Sequence, residues 1–297
     1  MAKHTISAAV HSGRVLVSDG AWGTFLHQKG LQAGACPEQW CVDHPEMVGD
    51  IASSYIKAGS DMVETNSFGG SALKLEHYGL SERVSEFNEA AARISSLAAG
   101  GDKWVIASVG PTGKMLITGD VTAEELYNGF KEQAAALEKG GADAICIETM
   151  SDIDEAVLAI KAARENTDLE VICTFTFERT IQGDFRTMMG VSPVEAARAA
   201  LEAGADIIGT NCGNGFERMI DIVKEMRTVS QEVPILVHAN AGLPKNVDGV
   251  DVFPDTPEQM ASLVPELVGA GANIIGGCCG TTPDHIRAIK GAVQQLR

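Results

Sequence analysis

Short apolar runs alternate with amphipathic stretches along almost the whole of this chain. Val15–Asp19, Met62–Thr65, Val105–Val109, Ala144–Glu148, Val171–Phe177, Ile207–Asn211, Ile235–Ala239 and Ile274–Gly277 are mostly continuous in apolar residues. That is the pattern of parallel strands buried on both faces. Helix starts fall between the runs. Thr122-Ala123-Glu124-Glu125 and Ser192-Pro193-Val194-Glu195 have the spacing of a capping box, while Thr256-Pro257 and Thr282-Pro283 put proline at the first helical position.

One turn recurs four times: Ala58-Gly59-Ser60-Asp61, Gly140-Gly141-Ala142-Asp143, Ala203-Gly204-Ala205-Asp206 and Ala270-Gly271-Ala272-Asn273. Each follows a helical pattern and precedes an apolar run, and its glycine suits the left-handed conformation at a helix end. Each interval between copies has room for two βα units. Eight such units with no linker-like segment predict a single (β/α)₈ barrel over residues 1–297, a length normal for that fold. A doubly wound open sheet is the alternative, but no glycine fingerprint follows the first strand.

A formal charge of −17 argues against nucleic acid or an anionic membrane as partner. No stretch approaches the ~20 apolar residues of a membrane span, and Met1–Gly13 holds no apolar run fit for a signal peptide, so a cytoplasmic protein is expected. Seven cysteines in such a chain suggest metal or thiol chemistry more than a disulfide framework. Cys146 and Cys173 lie inside apolar runs and read as core. Cys36 and Cys41 flank Pro37 without a partner motif.

In a barrel the active site lies at the carboxyl ends of the strands. That rule gathers Asp19-Gly20-Ala21, Glu64-Thr65-Asn66, Ser108, Glu148-Thr149, Cys212, His238 with Asn240, and Cys278-Cys279 onto one face. The last three strands are neighbours, so Cys212 and the cysteine pair can meet. Three thiols suit a soft metal, zinc first, and three protein ligands leave a fourth position open, as in catalytic sites. Simpler roles compete. Asp19 could cap a turn, Glu64 could bond loop backbone, and His238 reads as a satisfied core histidine. An unpaired Glu148 inside a barrel is harder to explain structurally.

At these residues the chain resembles the homocysteine S-methyltransferase family. The resemblance is carried by Asp19-Gly20-Ala21-Trp22-Gly23-Thr24, Glu64-Thr65-Asn66-Ser67-Phe68, Ser108-Val109-Gly110-Pro111-Thr112-Gly113, Asn211-Cys212-Gly213, Asn240-Ala241-Gly242-Leu243-Pro244 and Gly276-Gly277-Cys278-Cys279-Gly280-Thr281. It runs from about Val15 to the last helix and looks closest to the homocysteine-binding domain of cobalamin-dependent methionine synthase. It implies one zinc ion on Cys212, Cys278 and Cys279, with homocysteine sulfur as fourth ligand. Asp19 and Glu148 would hold the amino acid end, and backbone N–H groups near Gly20 and Ala21 its carboxylate. Asn240 is the candidate for a labile oxygen ligand. Glu64, Thr65, Asn66 and Ser108 complete the expected substrate-binding set.

In that branch the domain is followed by folate, cobalamin and activation modules. A free-standing barrel must take its methyl group from elsewhere, and a methylated corrinoid protein or a free-standing cobalamin module is the expected donor. The long loops Gly20–Pro45 and Ser67–Ser81 would frame the mouth. A small-molecule donor (S-methylmethionine, S-adenosylmethionine or betaine) is the alternative, though no clear aromatic cage for a quaternary ammonium is visible. A different acceptor thiol, a Schiff-base aldolase or lyase, and a zinc sensor or structural protein are further alternatives. A piece of a longer enzyme would give the same sequence signals.

Overall fold

The computed structural model describes residues 4–247 and 250–296. Its eight central strands are β1 Leu16–Val17, β2 Met62–Glu64, β3 Trp104–Val109, β4 Ala144–Met150, β5 Glu170–Phe175, β6 Ile207–Asn211, β7 Ile235–Ala239 and β8 Ile274–Gly277. All pairings in this sheet are parallel, in the order β1-β8-β7-β6-β5-β4-β3-β2. Helices surround it, so the predicted single (β/α)₈ barrel is the fold observed.

The recurring turn does more than end helices. Gly59, Gly141, Gly204 and Gly271 take φ of 105°, 101°, 104° and 116°, the left-handed cap that glycine adopts without strain. The residue two places on then joins neighbouring strands. Asp61, Asp143, Asp206 and Asn273 each accept a backbone N–H of an odd-numbered strand (Val17, Val105, Val171 and Ile235) at 2.8–2.9 Å. Each also returns its own N–H to the carbonyl of that same residue. The fourfold repeat is thus a staple at the amino end of alternate strand pairs.

The first of these staples closes the barrel. β1 has two residues, against the five expected, although Ser18 N–H still donates to Ile275 O at 2.9 Å and Asp19 O accepts Gly277 N–H at 2.8 Å along β8. The edge between β1 and β2 is held by Asp61 N–H to Val17 O at 2.6 Å and, at the other end, by Glu64 N–H to Asp19 Oδ2 at 2.8 Å.

Two apolar layers follow from the two-residue period of the strands. Ile106, Cys146, Ile172, Ile207, Leu236 and Ile274 fill the amino end of the barrel interior, where the helix Ile6–His11 plugs the opening. Its first N–H groups, on Ile6 and Ser7, donate to Glu170 at 2.5 and 3.0 Å. Cys173 belongs to the larger layer between sheet and helices. Both interior cysteines are fully buried, as expected.

The capping boxes at Thr122/Glu125 and Ser192/Glu195 form as read, and Thr256 and Thr282 start helices with proline in the first turn. Two short hairpins were not foreseen: Glu178–Arg179 with Phe185–Arg186 after β5, and Lys245–Val247 with Val250–Val252 after β7. Both stand on the loops that follow barrel strands, the catalytic face of this fold.

Candidate active site

A cavity of about 300 Å³ opens at the carboxyl ends of the strands. Its wall includes Gly20, Ala21, Trp22, Glu64, Ser108, Glu148, His238 and all three candidate metal ligands, Cys212, Cys278 and Cys279. Among the described residues no lysine or arginine lines it.

The three cysteines converge from β6 and β8 as expected. Cys279 Sγ lies 4.0 Å from the sulfurs of both Cys212 and Cys278, and the three sulfurs lie within 4.8 Å of one another. Tetrahedral zinc with bonds of about 2.3 Å separates its sulfur ligands by about 3.8 Å, so the donor set fits zinc in number, softness and spacing. Cys212 takes φ 58°, a left-handed conformation uncommon for a residue with a side chain. It is fixed there by its N–H donating to His238 O at 2.9 Å and its carbonyl accepting from Asn214 N–H at 2.7 Å.

Without a metal the cluster concentrates one negative charge. The Cys278 and Cys279 thiols direct hydrogen bonds at Cys212 and hold its pKa down at about 3. The same contact with Cys212 pushes Cys279 up to about 12 and raises Cys278. Asn240 also donates to Cys212 sulfur. Its Oδ1 is buried without a hydrogen-bond partner, and turning the amide over would present that oxygen to the sulfurs.

The carboxylates sort into two kinds. Asp19 is wholly buried and both of its oxygens are engaged, Oδ2 by Trp22 Nε1–H (2.9 Å) and Glu64 N–H (2.8 Å), Oδ1 by Ser18 Oγ (3.2 Å). It lies behind the cavity wall, where it ties β1 to β2. Glu148 lines the cavity. Ser108 Oγ donates to its Oε1 in a short hydrogen bond, and Asn211 Nδ2 donates to its Oε2 at 3.3 Å. Burial, then the neighbouring Glu64 charge, pushes the Glu148 pKa well up. Glu64 is likewise raised by burial and by Asp19, and its Oε1 has no hydrogen-bond partner.

Other expected substrate residues, Gly20, Ala21, Thr65 and Asn66, line the cavity and also brace its loops. Thr65 Oγ1 meets Ser67 Oγ at 2.5 Å and accepts Ser108 N–H at 3.0 Å. Asn66 donates to Pro37 O and to Cys41 Sγ, joining the first two loops. Ala21 N–H, expected to meet a substrate carboxylate, donates instead to Thr281 Oγ1 at 3.0 Å. Gly20 is held by close packing, since a Cβ there would meet that same Thr281 oxygen at 2.7 Å. The helix Gly23–Gln28 beside them carries no side-chain cap, and Gly23 and Thr24 line the cavity.

Three features were missed from the sequence. Glu38 is buried on the cavity wall, accepting Gly69 N–H at 2.7 Å and the Cys36 thiol at 3.3 Å. Asn211 braces Glu148. His238 is buried but not satisfied, because its Nε2 has no partner. Burial lowers its pKa, against the opposing pull of Asp19 and Glu148.

The comparisons with known proteins give the family. The family model described as homocysteine S-methyltransferase matches residues 16–293. The chain belongs to this family. It is 32% identical over 97% of its length to the methionine synthase of Mycobacterium tuberculosis, and 31% identical over 94% to that of Mycobacterium leprae. It spans about a quarter of the length of these relatives (25% and 24%). Among solved structures it is similar to the metallated homocysteine methyltransferase MmuM from Escherichia coli, with a TM-score of 0.78, 22% identity, and coverage of 96% of this chain and 98% of that one. That likeness extends to the family the fold read from the strand pattern.

Proposed function

We propose that this chain methylates homocysteine to methionine, with a zinc ion on Cys212, Cys278 and Cys279 and a methylated corrinoid protein as donor. The observation that carries the reading is that a three-sulfur cluster and two buried glutamates, Glu64 and Glu148, share one cavity with no lysine or arginine among its described lining residues. Zinc held there would lower the pKa of an incoming thiol, near ~8.5 when free, and stabilise its nucleophilic thiolate form.

The chain's own residues bind and orient. Glu148, fixed by Ser108 and Asn211, and Glu64 offer oxygens to the ammonium group of an amino acid thiol, whose positive charge would favour their ionised form against the burial that raises their pKa values. The uncapped first turn at Gly23 and Thr24 offers backbone N–H groups for its carboxylate. Holding both ends fixes the direction of the sulfur, which is the entropic part of the catalysis. Asp19 acts one step back, keeping the β1–β2 edge in place.

The donor assignment rests on the resemblance to the cobalamin-dependent branch and on the rim. Phe68, Ile117, Ile181, Met188 and Leu243 are exposed on loops that follow β2, β3, β5 and β7. Exposed apolar side chains on several of the loops at one face suit a macromolecular partner. No described helix is long and apolar enough to cross a membrane.

The test is methionine formation from homocysteine with methylcobalamin, a methylated corrinoid protein and S-methylmethionine as donors. Zinc absorption spectroscopy with and without homocysteine accompanies it. One added sulfur neighbour and turnover with the corrinoid protein are expected. An unchanged sulfur count, or turnover with S-methylmethionine alone, would overturn the corresponding half of the proposal.

A further inference from the structure

The seam between β1 and β8 continues past its backbone ladder. Beyond the bond from Gly277 N–H to Asp19 O at 2.8 Å, a side chain takes over. Thr281 Oγ1 accepts Ala21 N–H at 3.0 Å and donates to Cys278 O at 2.7 Å. One buried hydroxyl thus uses both its donor and its acceptor in a single bridge. Two glycines clear the room for it: a Cβ would sit 2.3 Å from Oγ1 at Gly277 and 2.7 Å from it at Gly20. The Ala21 carbonyl is fixed as well, accepting the Tyr55 hydroxyl at 2.7 Å. Gly20, Ala21 and Cys278 line the cavity, and Thr281 stands behind them.

We propose that Thr281 is a positioning residue for the sulfur cluster. Its hydroxyl holds the Cys278 carbonyl against the first loop, so that the three sulfurs are gathered before a metal ion arrives. This inference rests on the reading of the three cysteines as metal ligands. From the β7 side the cysteine pair is held by Cys278 N–H to Ala239 O at 2.6 Å and by Ala241 N–H to Cys279 O at 3.0 Å. β8 lies between β7 and β1, and Thr281 supplies the anchor on the β1 side. Removing the hydroxyl leaves the turn itself closed, because Thr281 N–H also donates to Cys278 O at 3.1 Å. What is lost is the link to Ala21, whose buried N–H is then left without a partner. Hydrogen bonds that orient the ligands of a metal ion are worth about ten- to a hundredfold in its affinity.

The experiment is zinc affinity, measured by competition with a chelator, for wild type, Thr281→Val and Thr281→Ser. The melting temperature of each metal-free protein is recorded beside it. Valine keeps the shape of the side chain without the hydroxyl, and serine keeps the hydroxyl. Thr281→Val is expected to bind zinc about tenfold more weakly or worse, and Thr281→Ser to restore most of that loss. Zinc affinity unchanged in Thr281→Val, even with a lower melting temperature, would make the residue structural and overturn the role. Equal weakening in both variants would do the same, by assigning the effect to the methyl group. Hydrogen exchange at the Ala21 amide of wild type, with and without zinc, decides the matter if the valine variant does not fold. Metal that fixes Cys278 should slow this exchange through Thr281, and equal rates would refute the coupling. Wild type without tight zinc would remove the metal reading itself, and this role with it.

Discussion

Asn211 holds Thr149. From the end of β6 its Oδ1 accepts Thr149 N–H at 2.8 Å and its Nδ2 donates to Thr149 Oγ1 at 2.7 Å, with a third contact from Nδ2 to Glu148 Oε2. Thr149 sits at φ 61° beside a register shift in β4, a conformation that a β-branched residue adopts only under constraint. Because Asn211 immediately precedes Cys212, one side chain couples the sulfur cluster to the acidic floor. Asn211→Ala is expected to release Thr149 and lower kcat/KM by a hundredfold or so, the scale of a small misplacement of reacting groups. Unchanged kinetics would show that the brace is not needed.

The sulfur cluster stands on loops at the barrel rim, and the apolar layers do not depend on it. Cys212→Ala, Cys278→Ala and Cys279→Ala should each abolish tight zinc binding and nearly all activity while leaving the far-ultraviolet circular dichroism unchanged. Stoichiometric zinc with normal turnover in any one of them would break the three-cysteine assignment.

Glu148 and Asp19 should separate. Glu148→Gln removes charge from the cavity wall, and homocysteine affinity is expected to fall about ten- to a hundredfold with zinc content intact. Asp19→Asn turns one acceptor of the β1–β2 tie into a donor, so it should cost about 1–3 kcal/mol of stability before it touches binding. Chemical unfolding of the two variants beside homocysteine titration checks the division.

Glu64 has a sign that can be worked out. Burial, then Asp19, raises its folded pKa well above the ordinary value of 4.5. Its protonated form contributes stability below about pH 4.5, and that contribution is lost as pH rises through the folded pKa. In the metal-free, substrate-free protein Glu64→Gln should therefore melt higher than wild type at pH 8, by about 2 °C or more. The gap should narrow toward pH 5. A variant less stable than wild type at pH 8 would contradict this.

The exposed tips after β5 give a test of the donor. Ile181 and Met188 are almost fully exposed, at 105% and 87%, so charge there should not disturb folding. Ile181→Asp with Met188→Asp is expected to raise KM for a methylated corrinoid protein severalfold while leaving turnover with free methylcobalamin unaltered. Equal loss with both donors would place the defect inside the cavity.

The sequence by itself determined the barrel, because each of its signals is local. Strand runs, capping boxes and the four glycine turns all act within a few residues, and the left-handed glycine needs no distant partner to end a helix. The convergence of Cys212 with Cys278 and Cys279 was legible for a related reason: parallel strands in chain order make β6, β7 and β8 neighbours. The tertiary structure alone decided which polar residues face the cavity. Asp19 and Glu64 both end strands and look alike in sequence, yet Asp19 turns behind the wall to Trp22 and Glu64 keeps an open oxygen. Ala21 loses its N–H to Thr281, 260 residues away. His238 reads as an ordinary core histidine until its missing partner is seen. Direction and hydrogen-bond satisfaction depend on contacts between distant segments, and the spacing of residues along a chain does not encode them.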